Sequence, residues 1–356
     1  MNMEEVMNRD NGLAKVTDLT LYTGTNGKDK CTCKCIGCTQ GGGILKNKEK
    51  YQGTIEDIKV IIERLPNLEN AYLLGNPDVS VDIFFCNLAA KEFIKNNINV
   101  MFSTSGFKAV DTVKKLVDGL DPKYIKYISY SVDTLDEDKL HFLKGNKTLS
   151  LKEIEDAISY CKKRDIPVKI QPTLWEINQD DYEDIINNFY NKFGIKWYTF
   201  HVGSFEALKN KKVLLNHIHP KKWREIVENI IEIAKKKKLK IKLPRIFLDR
   251  EEMEECQKNI KTYCANGGKG LQIWLEKDFI RCTYCPVLAE IHPEFTFSIE
   301  EDTANFISKN GVCLAASCTL DKTLIQETIQ NNGRIFKNEE EDLYNVCRYY
   351  SIREQF

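Results

Sequence analysis

The chain has 356 residues, room for one large domain and a smaller one, and its 42% hydrophobic and 29% charged content suits a globular enzyme. Lys+Arg and Asp+Glu are both 52, so no excess of charge points to nucleic acid or an anionic membrane as partner. No apolar run approaches the roughly 18 residues that span a bilayer, and the polar, acidic residues 1–12 do not read as a signal peptide. The expectation is a cytoplasmic protein whose 13 cysteines bind metal or lie buried rather than pair as disulfides.

Residues 18–22, Asp-Leu-Thr-Leu-Tyr, predict a first strand, and a glycine- and lysine-rich loop follows over 23–30. That loop leads into Cys31-Thr-Cys-Lys-Cys-Ile-Gly-Cys38, four cysteines within eight residues. Cys31, Cys35 and Cys38 are spaced C-x3-C-x2-C, with Cys33 inside the first gap. Three thiolates on one tight loop can hold three irons of a [4Fe–4S] cube and leave the fourth iron open to a ligand, as catalytic metal sites do and closed structural ones do not. A structural zinc site is the competing use of such a cluster. Zinc knuckles usually come as paired C-x2-C, and within this loop only Cys35 and Cys38 make one.

Thr54 followed by acidic residues reads as a helix start, with the helix running to about residue 64. A second strand over 70–74 is broken by Gly75-Asn-Pro-Asp78. Cys86 falls among Phe84, Phe85 and Leu88 in the next helix and reads as a core thiol. Further strands are expected over 98–103, 124–132, 167–174, 196–202 and 239–246. Helices are expected over 110–118, 151–164 with Ser150 as cap, 180–193, and 220–237 opened by Pro220. Cys161 lies on the apolar side of the 151–164 helix and reads as core. The Lys235–Lys238 run suits a helix C-terminus. Strands and helices alternate six times, which predicts parallel β/α units with the helices outside. In such folds ligands sit at the C-terminal ends of the strands, where the cysteine loop, 75–78, 103–106, 129–133 and Asn178 all fall.

The cysteine spacing after the first strand resembles the radical S-adenosylmethionine (radical SAM) superfamily. The resemblance implies an α/β fold: a partial (β/α)6 radical SAM barrel over 18–246, preceded by an extension over 1–17. It implies a SAM-binding [4Fe–4S] cluster on Cys31, Cys35 and Cys38, and S-adenosyl-L-methionine chelated by the open iron. It also implies reductive cleavage of SAM to methionine and a 5′-deoxyadenosyl radical that abstracts hydrogen from substrate. By the same resemblance Ile36 lies by the adenine. Gly75, Asn76 and Pro77 stand where the family usually has Gly-Gly-Glu-Pro facing the SAM amine, so the usual glutamate is replaced; Asp78 is a neighbouring candidate. Ser103, Ser129, Ser131, Asp133 and Asn178 stand at cofactor-contacting strand ends. The segment 141–145 resembles a loop of peptide-modifying members that carry SPASM or twitch extensions.

Residues 247–356 hold seven cysteines and read as a small C-terminal domain with a β-hairpin over 271–282. The region resembles SPASM and twitch auxiliary-cluster domains. That implies a second [4Fe–4S] cluster with Cys264 and Cys282 as its first ligands, then Cys313 and Cys318, with Cys285 and Cys256 competing. Zinc is the alternative metal. The family's usual glycine before the second cysteine is Asp278 here, and the seven-cysteine SPASM spacing is absent.

The expected activity is modification of a ribosomally made peptide by cross-link, thioether or epimerisation. Oxidation of a small-molecule natural-product intermediate is the alternative, and the short stretch ahead of the first strand, without room for a peptide-recognition domain, favours it. A flavodoxin- or ferredoxin-type electron donor is the implied partner. Cys33, Cys285, Cys318 and Tyr284 are hydrogen-donor candidates by residue type. A non-catalytic iron–sulfur carrier and a zinc-stabilised binding protein are the readings from other classes.

Overall fold

A computed structural model describes residues 12–23, 31, 33–36, 53–75, 78–203, 218–243, 247–248, 270–275, 280–283, 297–299 and 344–345. Its centre is a sheet in which β1 (Asp18–Tyr22), β2 (Asn70–Leu73), β3 (Asn99–Thr104), β4 (Ile125–Tyr130), β5 (Val168–Ile170), β7 (Trp197–Thr199) and β9 (Lys240–Lys242) lie side by side in chain order, all parallel. Each crossover carries a helix: α1 (Ile55–Arg64), α2 (Ile83–Lys95), α3 (Ala109–Leu116), α5 (Leu151–Lys163), α6 (Tyr182–Phe193) and α7 (Pro220–Lys237). Successive right-handed crossovers that always step the same way place every helix on one face of the sheet. These are the parallel β/α units that the alternation of elements predicts, arranged as the partial barrel that the resemblance implies.

The far side of β1 is paired too. β11 (Gly270–Leu275) runs parallel to it, and β12 (Ile280–Thr283) and β13 (Phe297–Ser298) follow antiparallel. The expected hairpin therefore extends the main sheet beside the strand that carries the cysteine loop. Two short pairs, β6 (Thr173–Leu174) with β8 (His201–Val202) and β10 (Phe247–Leu248) with β14 (Tyr344–Asn345), stand apart from it.

Local chemistry explains the helix boundaries. Thr54 Oγ1 accepts from the Asp57 amide at 3.2 Å while Asp57 Oδ2 accepts from the Thr54 amide at 2.6 Å, a reciprocal cap that starts α1. Ile58 and Ile61 then fall on one stripe and are fully buried, at about 1.5–3 kcal/mol of stabilisation each. The 151–164 helix starts as expected, but its cap differs. Ser150 makes no capping bond; Glu137 reaches over to accept from the Leu151 amide at 3.2 Å.

Strands five and six are each interrupted. Pro172 has no amide hydrogen to continue a ladder; its carbonyl instead accepts from His201 at 2.9 Å, where β6 and β8 peel away. The segment 141–145, expected as a loop, closes helix α4 (Glu137–Lys144), capped by Asp136 and ended by Gly145 at φ +56°. Cys86 and Cys161 are buried thiols, as expected.

Candidate functional site

The site lies where the C-terminal ends of β1 to β5 meet. Cys33, Leu140 and Leu149 form a small buried cluster, with Cys31, Cys35 and Phe107 packed on it. The Ile36 amide donates to Leu143 O at 3.0 Å, so α4 holds the cysteine loop through the backbone. Gly145 is required at this joint. A Cβ there would lie 2.4 Å from Lys34 O, and its φ is left-handed.

Cys31 and Cys35 both hydrogen-bond to Cys33. Those bonds, with burial, push the Cys31 and Cys35 thiols well up, and the same bonds pull Cys33 down against its own burial. Cys33 Sγ also lies within hydrogen-bond reach of Ser105 Oγ at 3.4 Å and is buried, not turned to solvent. Cys38 lies outside the described residues, so two of the three expected cluster ligands are placed. They converge from one loop, with soft sulfur donors at a strand-end mouth, and this donor set fits an iron–sulfur cluster.

A second chain of contacts runs from the loop after β2. Gly75 adopts φ +68° and turns the chain so that Asp78 points across the strand ends. Asp78 Oδ1 accepts from Ser80 N at 2.8 Å and Thr104 Oγ1 at 3.2 Å, and Oδ2 accepts from the Ser105 amide. Its carboxylate thus fixes the turn that supports Cys33. Asn76 and Pro77 lie outside the described residues.

The loop after β4 supplies charge. Lys144, at the end of α4, lies 2.7 Å from Asp133 Oδ2, and both side chains are buried. Its ammonium also donates to Ser131 Oγ at 2.7 Å. Burial opposes the charge on Lys144, but Asp133 and the neighbouring Cys35 and Cys33 outweigh it and hold its pKa above the usual lysine value. Asp133 Oδ1 accepts from the Thr173 amide at 2.8 Å. Asn178 donates to Asp133 O at 2.7 Å and Thr173 O at 3.0 Å and accepts from Trp175 N at 2.6 Å, so its whole amide is engaged as a strap on the Asp133 loop. Ser129 is fully buried and donates to Gln171 at 3.1 Å; Ser103 is its register partner on β3.

The structure thus brings Cys31, Cys33, Cys35, Ile36, Ser131 and Asp133 together around Lys144, with Gly75 and Asp78 behind them. Sequence reasoning missed Lys144 and Gln171. Lys144 had a legible signal: a lysine in the last turn of a helix that starts at an Asp cap and ends at glycine. Of the C-terminal cysteines only Cys282 is described. It is fully buried on β12, where burial pushes its thiol well up; Cys256, Cys264, Cys285, Cys313 and Cys318 lie outside the described residues, as does Tyr284. Among the described residues no helix is long and apolar enough to cross a membrane.

Residues 26–189 match the family profile of the Radical SAM superfamily. No curated protein matches the chain. Among solved structures, Streptococcus suis SuiB bound to the precursor peptide SuiA superposes with a TM-score of 0.55 at 16% identity, over 82% of this chain and 64% of that one. SuiB bound to S-adenosylmethionine gives 0.57 at 14%, over 85% and 68%. The protein anSMEcpe with bound AdoMet and the Kp18Cys peptide gives 0.54 at 14%, over 82% and 81%. At these identities the likeness is one of fold, and the chain spans about two thirds of the length of SuiB.

Proposed function

Residues 26–189 form a radical SAM domain, and from that premise we propose that the protein abstracts a hydrogen atom from a ribosomally made peptide, as the first step of a cross-link, thioether or epimerisation. When bound, a [4Fe–4S] cluster on Cys31, Cys35 and Cys38 together with SAM supplies one-electron cleavage of the sulfonium and a 5′-deoxyadenosyl radical. The observation that carries the reading is the convergence of Cys31 and Cys35 on Cys33 at the mouth of the parallel strands, beside the buried Lys144.

This chain's own residues bind, orient and exclude water. Lys144, held by Asp133 and Ser131, presents a fixed positive charge to the carboxylate end of SAM. Asp133 is itself pinned by Thr173 and Asn178, so the charge cannot swing away. Ile36 offers an apolar edge to the adenine, and the Gly75 turn offers backbone carbonyls to the amine. Cys282 joins Cys264, Cys285, Cys313 and Cys318 in the proposed ligand set of an auxiliary [4Fe–4S] cluster, with a flavodoxin- or ferredoxin-type protein as electron donor. The peptide substrate is favoured because the superposed folds include two crystallised with peptides.

The test is release of 5′-deoxyadenosine from SAM by anaerobically reconstituted, dithionite-reduced protein beside Cys35→Ala. Product from the first and none from the second supports the reading. Zinc with neither iron nor sulfide in the purified protein would overturn it. Mass change in a short peptide encoded beside the gene, dependent on SAM, identifies the substrate class; change only in a small molecule would move the assignment to the oxidation reading.

A further inference from the structure

Below the cysteine loop, the face of the sheet turned away from the helices carries a lysine with no acid beside it. Lys169 lies on β5 with 6% of its surface exposed. Lysines this buried are almost always paired. Among the described residues no carboxylate faces Lys169. Its ammonium lies instead over the Tyr127 ring, 4.3 Å from the centroid, and 5.4 Å from that of Tyr72. Cation–π contact offsets only part of the cost of burying a charge. Burial accordingly pulls its pKa down to about 7, with nearby Lys242 adding to the effect.

The same face carries other unsatisfied polar atoms. Register aligns Thr20 with Tyr72 and with Gln272, Tyr22 with Trp274, and Ser103 with Ser129 and Lys169. Tyr72 Oη, Thr199 Oγ1, Gln272 Oε1 and Trp274 Nε1 are each buried without a hydrogen-bond partner among the described residues. Ser103 and Ser129 lie near enough to affect the Tyr72 phenol, but neither makes a well-formed bond to it. An unpaired buried polar group costs about 1–3 kcal/mol, so four on one face of the sheet, with Tyr72 within 5.4 Å of the Lys169 ammonium, describe a surface shaped for a polar ligand. Three of the four, the two hydroxyls and the indole N–H, are donors, as an anion requires; the Gln272 carbonyl suits an N–H of the same ligand.

We propose that Lys169 is a specificity-determining residue that binds a carboxylate of the substrate inside the barrel, with the neighbouring Tyr72 hydroxyl as a further donor. The inference rests on the proposed function only in taking the ligand to be the substrate. The carboxylate comes either from an acidic side chain or from a chain terminus.

The test uses the full-length, anaerobically reconstituted protein labelled with [6-13C]lysine. The Lys169 signal is the one missing from both Lys169→Met and Lys169→Arg, so one folded variant suffices to assign it. Three probes are titrated against pH: N-acetylglutamate amide, whose only carboxylate is on the side chain; N-acetylglutamine, whose only carboxylate is terminal; and neutral N-acetylglutamine amide. A bound carboxylate should raise the Lys169 midpoint by about one to three pH units, and the neutral probe should leave it in place. Whichever acid acts names the source. No movement with either acid, or equal movement with the neutral amide, overturns the proposal. The readout needs no SAM cleavage, so it stands or falls apart from the radical chemistry.

Discussion

Along each strand, residues one step apart meet two different environments. Toward the helices, Leu21, Leu73, Phe102, Ile128, Ile170 and Ile273 are essentially free of solvent contact and join one apolar core. On the opposite face the same strands carry Tyr22, Tyr72, Tyr127, Lys169 and Trp274. There Tyr22 stacks on Trp274 at 5.1 Å, and Tyr72 meets Tyr127 edge-on at 5.9 Å. The first face is what a sheet does to stay folded. The second buries aromatic rings and polar atoms that lack a full set of partners among the described residues. Where stability and function share a strand, the pleat separates them by a single residue.

Substitutions can break or sharpen that contrast. Phe102→Ala, on the helix side of β3, should cost about 4 kcal/mol in urea unfolding, because a buried ring leaves a cavity the parallel ladder cannot collapse. Lys144→Met at the strand ends should cost about 3 kcal/mol and abolish deoxyadenosine release, since it strands the Asp133 carboxylate without its cation. Replacing both Lys144 and Asp133 by apolar residues should recover much of the stability and none of the activity.

Lys169→Met on the inner face should do the reverse and stabilise. The folded pKa of Lys169 is about 7 against 10.5 unfolded, so between these values the unfolded chain holds more protons. Wild-type stability should therefore rise as pH increases from about 7 toward 10.5, while below pH 7 the penalty is present in full. The variant should gain up to about 5 kcal/mol at pH 6 and lose that slope, measured by thermal unfolding across pH. Thr54→Ala, far from both faces, should cost about 1 kcal/mol by removing the cap of α1.

Much of the apolar face was legible. The first strand and the long 220–237 helix fall where alternation and Pro220 place them, because burial periodicity and an N-terminal proline act locally. The cysteine loop was legible for a similar reason: its chemistry is contained in eight residues. What stayed hidden depends on distant partners. Ser150 looks like a cap, but Glu137, held in place by a separate helix, takes the bond. The 141–145 segment reads as a loop until Lys144 finds Asp133. Lys169 was visible as an odd residue between Val168 and Ile170 in a parallel strand, which is usually a continuous apolar run. Only the register shows that it faces Tyr72 and Tyr127 rather than solvent.

The pairing of β1 with β11 also sets an order of events. Asp18 lies beside Gly270, so the strand that launches the cysteine loop waits for a neighbour made about 250 residues later. At ribosomal speeds of about 5–20 residues per second, that interval is on the order of 10 to 50 s. During synthesis that edge of β1 stays open, and a ribosome that stalls before residue 270 leaves an unpaired strand edge close to the cysteine thiols.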